Sequence, residues 1–180
     1  MIYIYLLTAG ILVSSVHSYL VWRNRKNIKY TLSDNAVIDI KGYLIYLFTH
    51  VIIEILFLLY SYQFFIVEHN LVLPFIINIA FVVLDFVQAV LPSRGKTENI
   101  HILSAYVSWL CFLLSGTIAL FALNISEPYK LFSVLLLIPI VCMFLYMHKL
   151  HNSHRNVYIY QLIVVPMYVI YLLMVTVGAK

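Results

Sequence analysis

Six stretches of this chain, residues 2–22, 42–66, 71–91, 101–123, 131–147 and 157–178, contain no lysine or arginine and consist mainly of aliphatic and aromatic residues. An α-helix rises about 1.5 Å per residue, so about 20 apolar residues cross a hydrocarbon core about 30 Å thick. These runs have that length. Strands of a membrane barrel would instead alternate polar and apolar residues over about 10 positions. Composition points the same way: 64% of the 180 residues are hydrophobic and 10% are charged, against about 45–50% and about 25% in a soluble domain. Too few polar side chains remain to cover a water-facing surface. The expected fold is all-α, a polytopic transmembrane bundle of six helices forming one domain over residues 1–180. The expected location is an integral, multi-pass position in a membrane that the sequence does not identify.

Nothing basic precedes the first run and no small-residue cleavage site follows it, so it is expected to remain as a span. Charge then sets the orientation. Nine of the eleven basic residues fall after the first, third and fifth runs: Arg23, Arg25, Lys26, Lys29 and Lys41; Arg94 and Lys96; Lys149 and Arg155. Basic loops stay in the cytoplasm, which places both termini on the other side. The same rule accounts for the net charge of +4 without a nucleic-acid partner. Cys111 and Cys142 lie inside apolar runs and read as packed thiols. Pro139 and Pro166 are expected to kink the last two spans. Tyr3, Tyr19, Trp22, Tyr60, Tyr62 and Tyr146, near span ends, read as an interfacial aromatic belt. No lysine lies within a span to form a retinal Schiff base. Asn124-Ile125-Ser126 has the pattern of a glycosylation acceptor.

The informative residues are the polar ones inside the spans. His50 and Glu54 are four apart and share a helix face. Asp85 and Gln88 share a face of the third span. Counting at about 1.5 Å per residue from the basic side, His17 lies roughly 8 Å deep, Asp85 roughly 9 Å and His50 roughly 12 Å. Glu54 is deeper, at roughly 18 Å. His101 opens the fourth span, with Ser104 and Ser108 behind it. A charge at the bilayer centre costs about 2.5–3.5 kcal/mol on insertion scales, so the carboxylates should face the bundle interior. Their arrangement supports a structural polar network, a proton or ion pathway or polar ligand pocket, or a metal site. His50, Glu54, Asp85, Gln88, His101 and Ser104 are the candidates for a ligand or proton pathway. His17, His50, Asp85 and His101 are the candidate metal ligands. Imidazole with carboxylate suits zinc; no other cofactor is expected. The histidines of the run from His148 to His154 have metal-like spacing, but their basic loop at the membrane edge fits anionic headgroups better.

Two short patterns carry a family resemblance: Tyr30-Thr31-Leu32-Ser33-Asp34 before the second span, and Leu91-Pro92 followed by His101 and Ala105. With six spans, they resemble the prokaryotic domain-of-unknown-function 998 family, placed near the Frag/DRAM/Sfk group of six-helix membrane proteins. The resemblance implies a six-helix bundle and a loose association with membrane-lipid handling. It implies no reaction and no catalytic residue. The histidine–aspartate layer also resembles the zinc site of membrane ceramidase-type hydrolases, although their paired-histidine helix has no clean equivalent here.

Three functions follow as expectations. The leading one is binding or organising a lipid, or modulating a membrane-protein partner, through a polar cavity in the cytoplasmic half. The others are a membrane-embedded metal-dependent lipid hydrolase and a small proton-coupled transporter. Whether the chain is an enzyme stays open at this point.

Overall fold

A computed structural model describes residues 2–26, 28–29, 31–91, 95–152 and 157–179, with backbone alone at 95, 148 and 150–152. Among these residues there are seven α-helices: α1 (Ile2–Arg23), α2 (Leu32–Ala36), α3 (Ile40–Ser61), α4 (Val72–Val90), α5 (Glu98–Ala122), α6 (Glu127–Asn152) and α7 (Tyr158–Gly178). A π-helical segment, Tyr62–Glu68, extends α3. All but α2 are long and apolar enough to cross a membrane, giving six candidate spans in an all-helical bundle. The helices run unbroken through Pro139 and Pro166.

The outer surface is what a bilayer selects. Ile11, Phe48, Leu103, Phe121, Leu131 and Leu145 are each more than 60% exposed. With lipid as apolar as leucine, helices associate through close packing and interhelical hydrogen bonds. Side by side the order is α6, α7, α1, α3, α4, α5, with α5 also touching α7. Near its centre, Tyr168 stacks on Phe112 and bonds the Phe112 carbonyl. Tyr60, fully buried, donates to Thr176 Oγ1 at 2.8 Å. Tyr60 is therefore a core residue and not part of an interfacial belt, because its hydroxyl finds a partner on α7. Asn78 Nδ2 donates to Ser61 Oγ at 3.0 Å and ties α4 to α3.

The polar stretch between the first two spans is more ordered than a solvated loop. Thr31 caps α2 through a reciprocal capping box with Asp34. Asn35, fully buried, bonds the Lys29 and Thr31 carbonyls and accepts from the Lys29 amide. Asp39 caps α3 by accepting from the Gly42 amide at 2.8 Å, and its other oxygen takes Arg23 Nη2 at 2.8 Å. The chain passes so close here that a Cβ on Gly42 would lie 2.7 Å from the Ala36 carbonyl oxygen. Leu32 and Ala36 are buried, so α2 caps the basic end of the bundle. At the other end, the Ser126 amide donates to the Gly178 carbonyl and Ile125 bridges to Ala179. The middle and last residues of the Asn124-Ile125-Ser126 pattern are thus held by backbone bonds.

Candidate functional site

The intramembrane polar residues converge from three helices. His50 Nδ1 lies 2.8 Å from Asp85 Oδ2, joining α3 to α4. Glu54, one turn after His50 on α3, completes a set whose potential ligand atoms all lie within 4.8 Å of one another. His17 approaches from α1, its ring 5.7 Å from that of His50. The Tyr46 ring lies 4.2 Å from His50 and 5.9 Å from His17, so the three rings pack as a triangle. The side chains of His17, His50 and Glu54 are more than nine-tenths buried. His50 Nε2, Glu54 Oε1, Gln88 Oε1 and both ring nitrogens of His17 have no hydrogen-bond partner among the described residues. In an apolar interior each such atom costs about 1–3 kcal/mol. Two carboxylates side by side also call for a compensating cation or protons.

His17, His50 and Gln88 line a cavity of about 110 Å³, which Glu54 does not border. Its polar end holds His17, His50, Asp85, Gln88 and Gln161; its apolar walls include Leu6, Val13, Phe57, Phe81, Phe112 and Val169. A second cleft, of about 70 Å³, adjoins it. The two share Ser33, Gln88, Trp109 and Gln161 on their walls.

Depth counting places His17, His50 and Asp85 in one layer, and they lie in one cluster. Glu54, placed deeper by that count, joins His50 and Asp85 because the helical repeat of four brings it under His50. His101 takes other partners: its Nδ1 lies 2.8 Å from the Leu91 carbonyl oxygen and its Nε2 lies 3.1 Å from Ser33 Oγ. The three-residue metal-ligand geometry among the described residues therefore has Glu54 beside His50 and Asp85, and includes neither His17 nor His101. Ser104 is buried one turn beyond His101, and Ser108 bonds back to the Ala105 carbonyl. Gln88 lines both cavities. Gln161 Oε1 accepts from the Leu32 amide at 2.9 Å and secures α2 to α7. The histidine run from His148 to His154 lies outside the residues whose side chains are described, as does the Pro92 of the second family pattern.

Sequence reasoning passed over Ser33. Its signal was present but local: a serine inside a capping box, 68 positions from its histidine partner. No protein-family model, curated protein or solved structure matches the chain.

Proposed function

We propose that this chain is a multi-pass membrane protein that binds an amphiphile, a membrane lipid or a molecule built like one, in the cavity between α1, α3, α4 and α7. The observation that carries the reading is the cavity's two-sided lining. Apolar side chains from several helices surround most of this space of about 110 Å³. At its end, buried polar atoms of His17, His50 and Gln88 have no partner among the described residues. Ligand sites combine mostly apolar walls with a few convergent polar groups in this way. A polar headgroup, or waters beside it, would supply the missing partners. The basic end, bearing Arg23, Arg25 and Lys41, is then the cytoplasmic face and attracts anionic headgroups.

Extraction in mild detergent followed by native mass spectrometry tests this. Wild type should carry about one lipid per chain. Ala9→Phe, which fills the cavity wall, and His17→Leu, which removes part of the polar end, should each lose it. A lipid-free wild-type protein, or equal loading in both variants, would overturn the proposal.

A second reading is favoured by one observation. His50, Glu54 and Asp85 offer three ligand atoms within 4.8 Å, and two of the three residues present unbonded atoms. A metal held by all three would take the place of the direct His50–Asp85 contact, with Glu54 as the third ligand. Zinc bound there would leave a position for water, which suits hydrolysis beside a lipid. Elemental analysis of the purified protein tests it: about one zinc per chain, lost in Glu54→Gln, supports the metal centre, and metal-free wild type removes it.

A further inference from the structure

The polar contacts on the wall between the two cavities form an ordered chain. Thr31 Oγ1 lies 3.1 Å from Ser33 Oγ, which lies 3.1 Å from His101 Nε2. His101 Nδ1 lies 2.8 Å from the Leu91 carbonyl oxygen. A carbonyl only accepts, so His101 Nδ1 carries its proton and donates to Leu91. In the neutral ring Nε2 is then the acceptor, and the Ser33 hydroxyl donates to it. Ser33 Oγ in turn accepts from Thr31. The direction of every bond is thus set by one backbone carbonyl.

A hydroxyl on the basic nitrogen of an imidazole, with the opposite nitrogen fixed by an acceptor, is the arrangement that activates a serine nucleophile. Here a backbone carbonyl takes the place of the usual carboxylate. The surroundings suit an acyl substrate. Ser33 and His101 are each only 5% exposed, and both line the smaller cleft. Ser33 lies on the wall of the apolar cavity and of the adjoining cleft. Gln88 and Gln161 share that wall. The carbonyl oxygen of Gln161 is held by the Leu32 amide, which leaves its NH₂ as a donor for an oxyanion.

We propose that Ser33 is an acyl-accepting nucleophile, with His101 as its general base and an ester of a long-chain acyl group as its substrate. The proposal rests on the lipid-binding reading of the cavity, which would hold the acyl chain. Ser33 Oγ bonds to the ester carbonyl carbon while its proton passes to His101 Nε2. The ester C–O bond then breaks, and the departing alcohol leaves with that proton. A water molecule attacks the acyl-serine and gives its proton to His101. The C–Oγ bond breaks, Ser33 recovers the proton, and the acid departs. The sum is ester plus water to acid plus alcohol.

The test is a long-chain alkyl fluorophosphonate, which phosphonylates an activated serine with loss of fluoride. Purified full-length protein in mild detergent is treated with probe in excess over bound lipid, and the modified residue is mapped by peptide mass spectrometry. Modification at Ser33, falling at least tenfold in His101→Ala, is expected. Mapping on the wild-type chain keeps the result independent of whether a Ser33→Ala variant folds. An unmodified Ser33, or modification confined to other serines, overturns the proposal, and so does labelling at Ser33 that persists in His101→Ala. Bound lipid is counted on the same preparation. Lipid retained with Ser33 unmodified overturns the dyad alone, whereas loss of both overturns the cavity reading as well.

Discussion

Gly116→Ala should loosen the contact between α5 and α7 by an amount the structure lets one work out. A Cβ at Gly116 would lie 2.7 Å from Tyr171 Cε1, 2.9 Å from the Tyr168 hydroxyl oxygen and 3.2 Å from Leu172 Cδ2. Comfortable carbon contacts begin near 3.5 Å, so the Tyr171 ring must retreat by roughly 0.8 Å. It has nowhere to go: Tyr168 and Tyr171 are fully buried, and Tyr168 is bonded to Phe112 and stacked on its ring. Overpacking of this kind costs about 1–3 kcal/mol. Exchanging glycine for alanine within a helix returns about 1 kcal/mol at most. Three close contacts at once put the cost in the upper part of that range, about 2–3 kcal/mol, so the net loss is about 1–2 kcal/mol, and at about 2–4 °C per kcal/mol the Tm falls by about 2–8 °C. Gly10→Ala is the internal control. The three atoms nearest its Cβ all belong to Val169, with methyl carbons at 2.8 and 2.9 Å. Val169 borders the cavity and has room to yield, so the loss stays below about 1 kcal/mol, within the range of a strained rotamer. Thermal unfolding in one detergent, followed by circular dichroism, checks both variants. A Gly116→Ala protein as stable as wild type, or less damaged than Gly10→Ala, would falsify the packing described for α5 and α7.

Tyr60→Phe removes the bond to Thr176 while keeping the ring, and should cost about 0.6–1.7 kcal/mol in the same unfolding assay, the range of interhelical hydrogen bonds in membranes. Asp85→Ala leaves His50 Nδ1 without its acceptor and should cost about 1–3 kcal/mol, whereas Asp85→Asn, which keeps an acceptor oxygen, should recover much of that loss. Asp39, exposed at the head of α3, has its carboxyl held below the usual aspartate range by the Gly42 amide first and the Arg23 guanidinium second. Its contribution to stability is present above the unfolded value, near pH 4, and fades as pH falls through the lower folded value. Asp39→Asn should flatten that part of the stability–pH curve, and an unchanged curve would show that the cap does not titrate as described.

The spans were legible because a bilayer leaves a chain few choices. Twenty apolar residues without a basic side chain are a helix wherever they sit in the sequence. The i, i+4 pairing of His50 and Glu54 was legible for the same reason, since the helical repeat alone puts them on one face. Asp85 joined them by depth, a one-dimensional measure that succeeds for neighbours such as α3 and α4. It fails for His101, whose partners are set by where α2 folds. The polar stretch around Ser33 carries turn and capping signals, and those describe its local shape but not the helix it covers. Tyr60 misled in a related way. A tyrosine near a span end is as compatible with an interface as with a core, and only Thr176, 116 positions away, decides between them.

The π-helical segment Tyr62–Glu68 carries a consequence for how the chain tolerates change in length. A π turn holds one residue more than an α turn between its bonded groups, so it is the form an α-helix takes when a residue is added without breaking the helix. Past it, the Leu71 amide reaches back to the Phe65 carbonyl at 2.6 Å and Asn70 turns the chain with φ 53°. The end of α3 is therefore slack, wound into the helix. Losing one residue there can tighten the coil to an ordinary α turn and leave the His50–Glu54 face, at least two turns upstream, in register with Asp85.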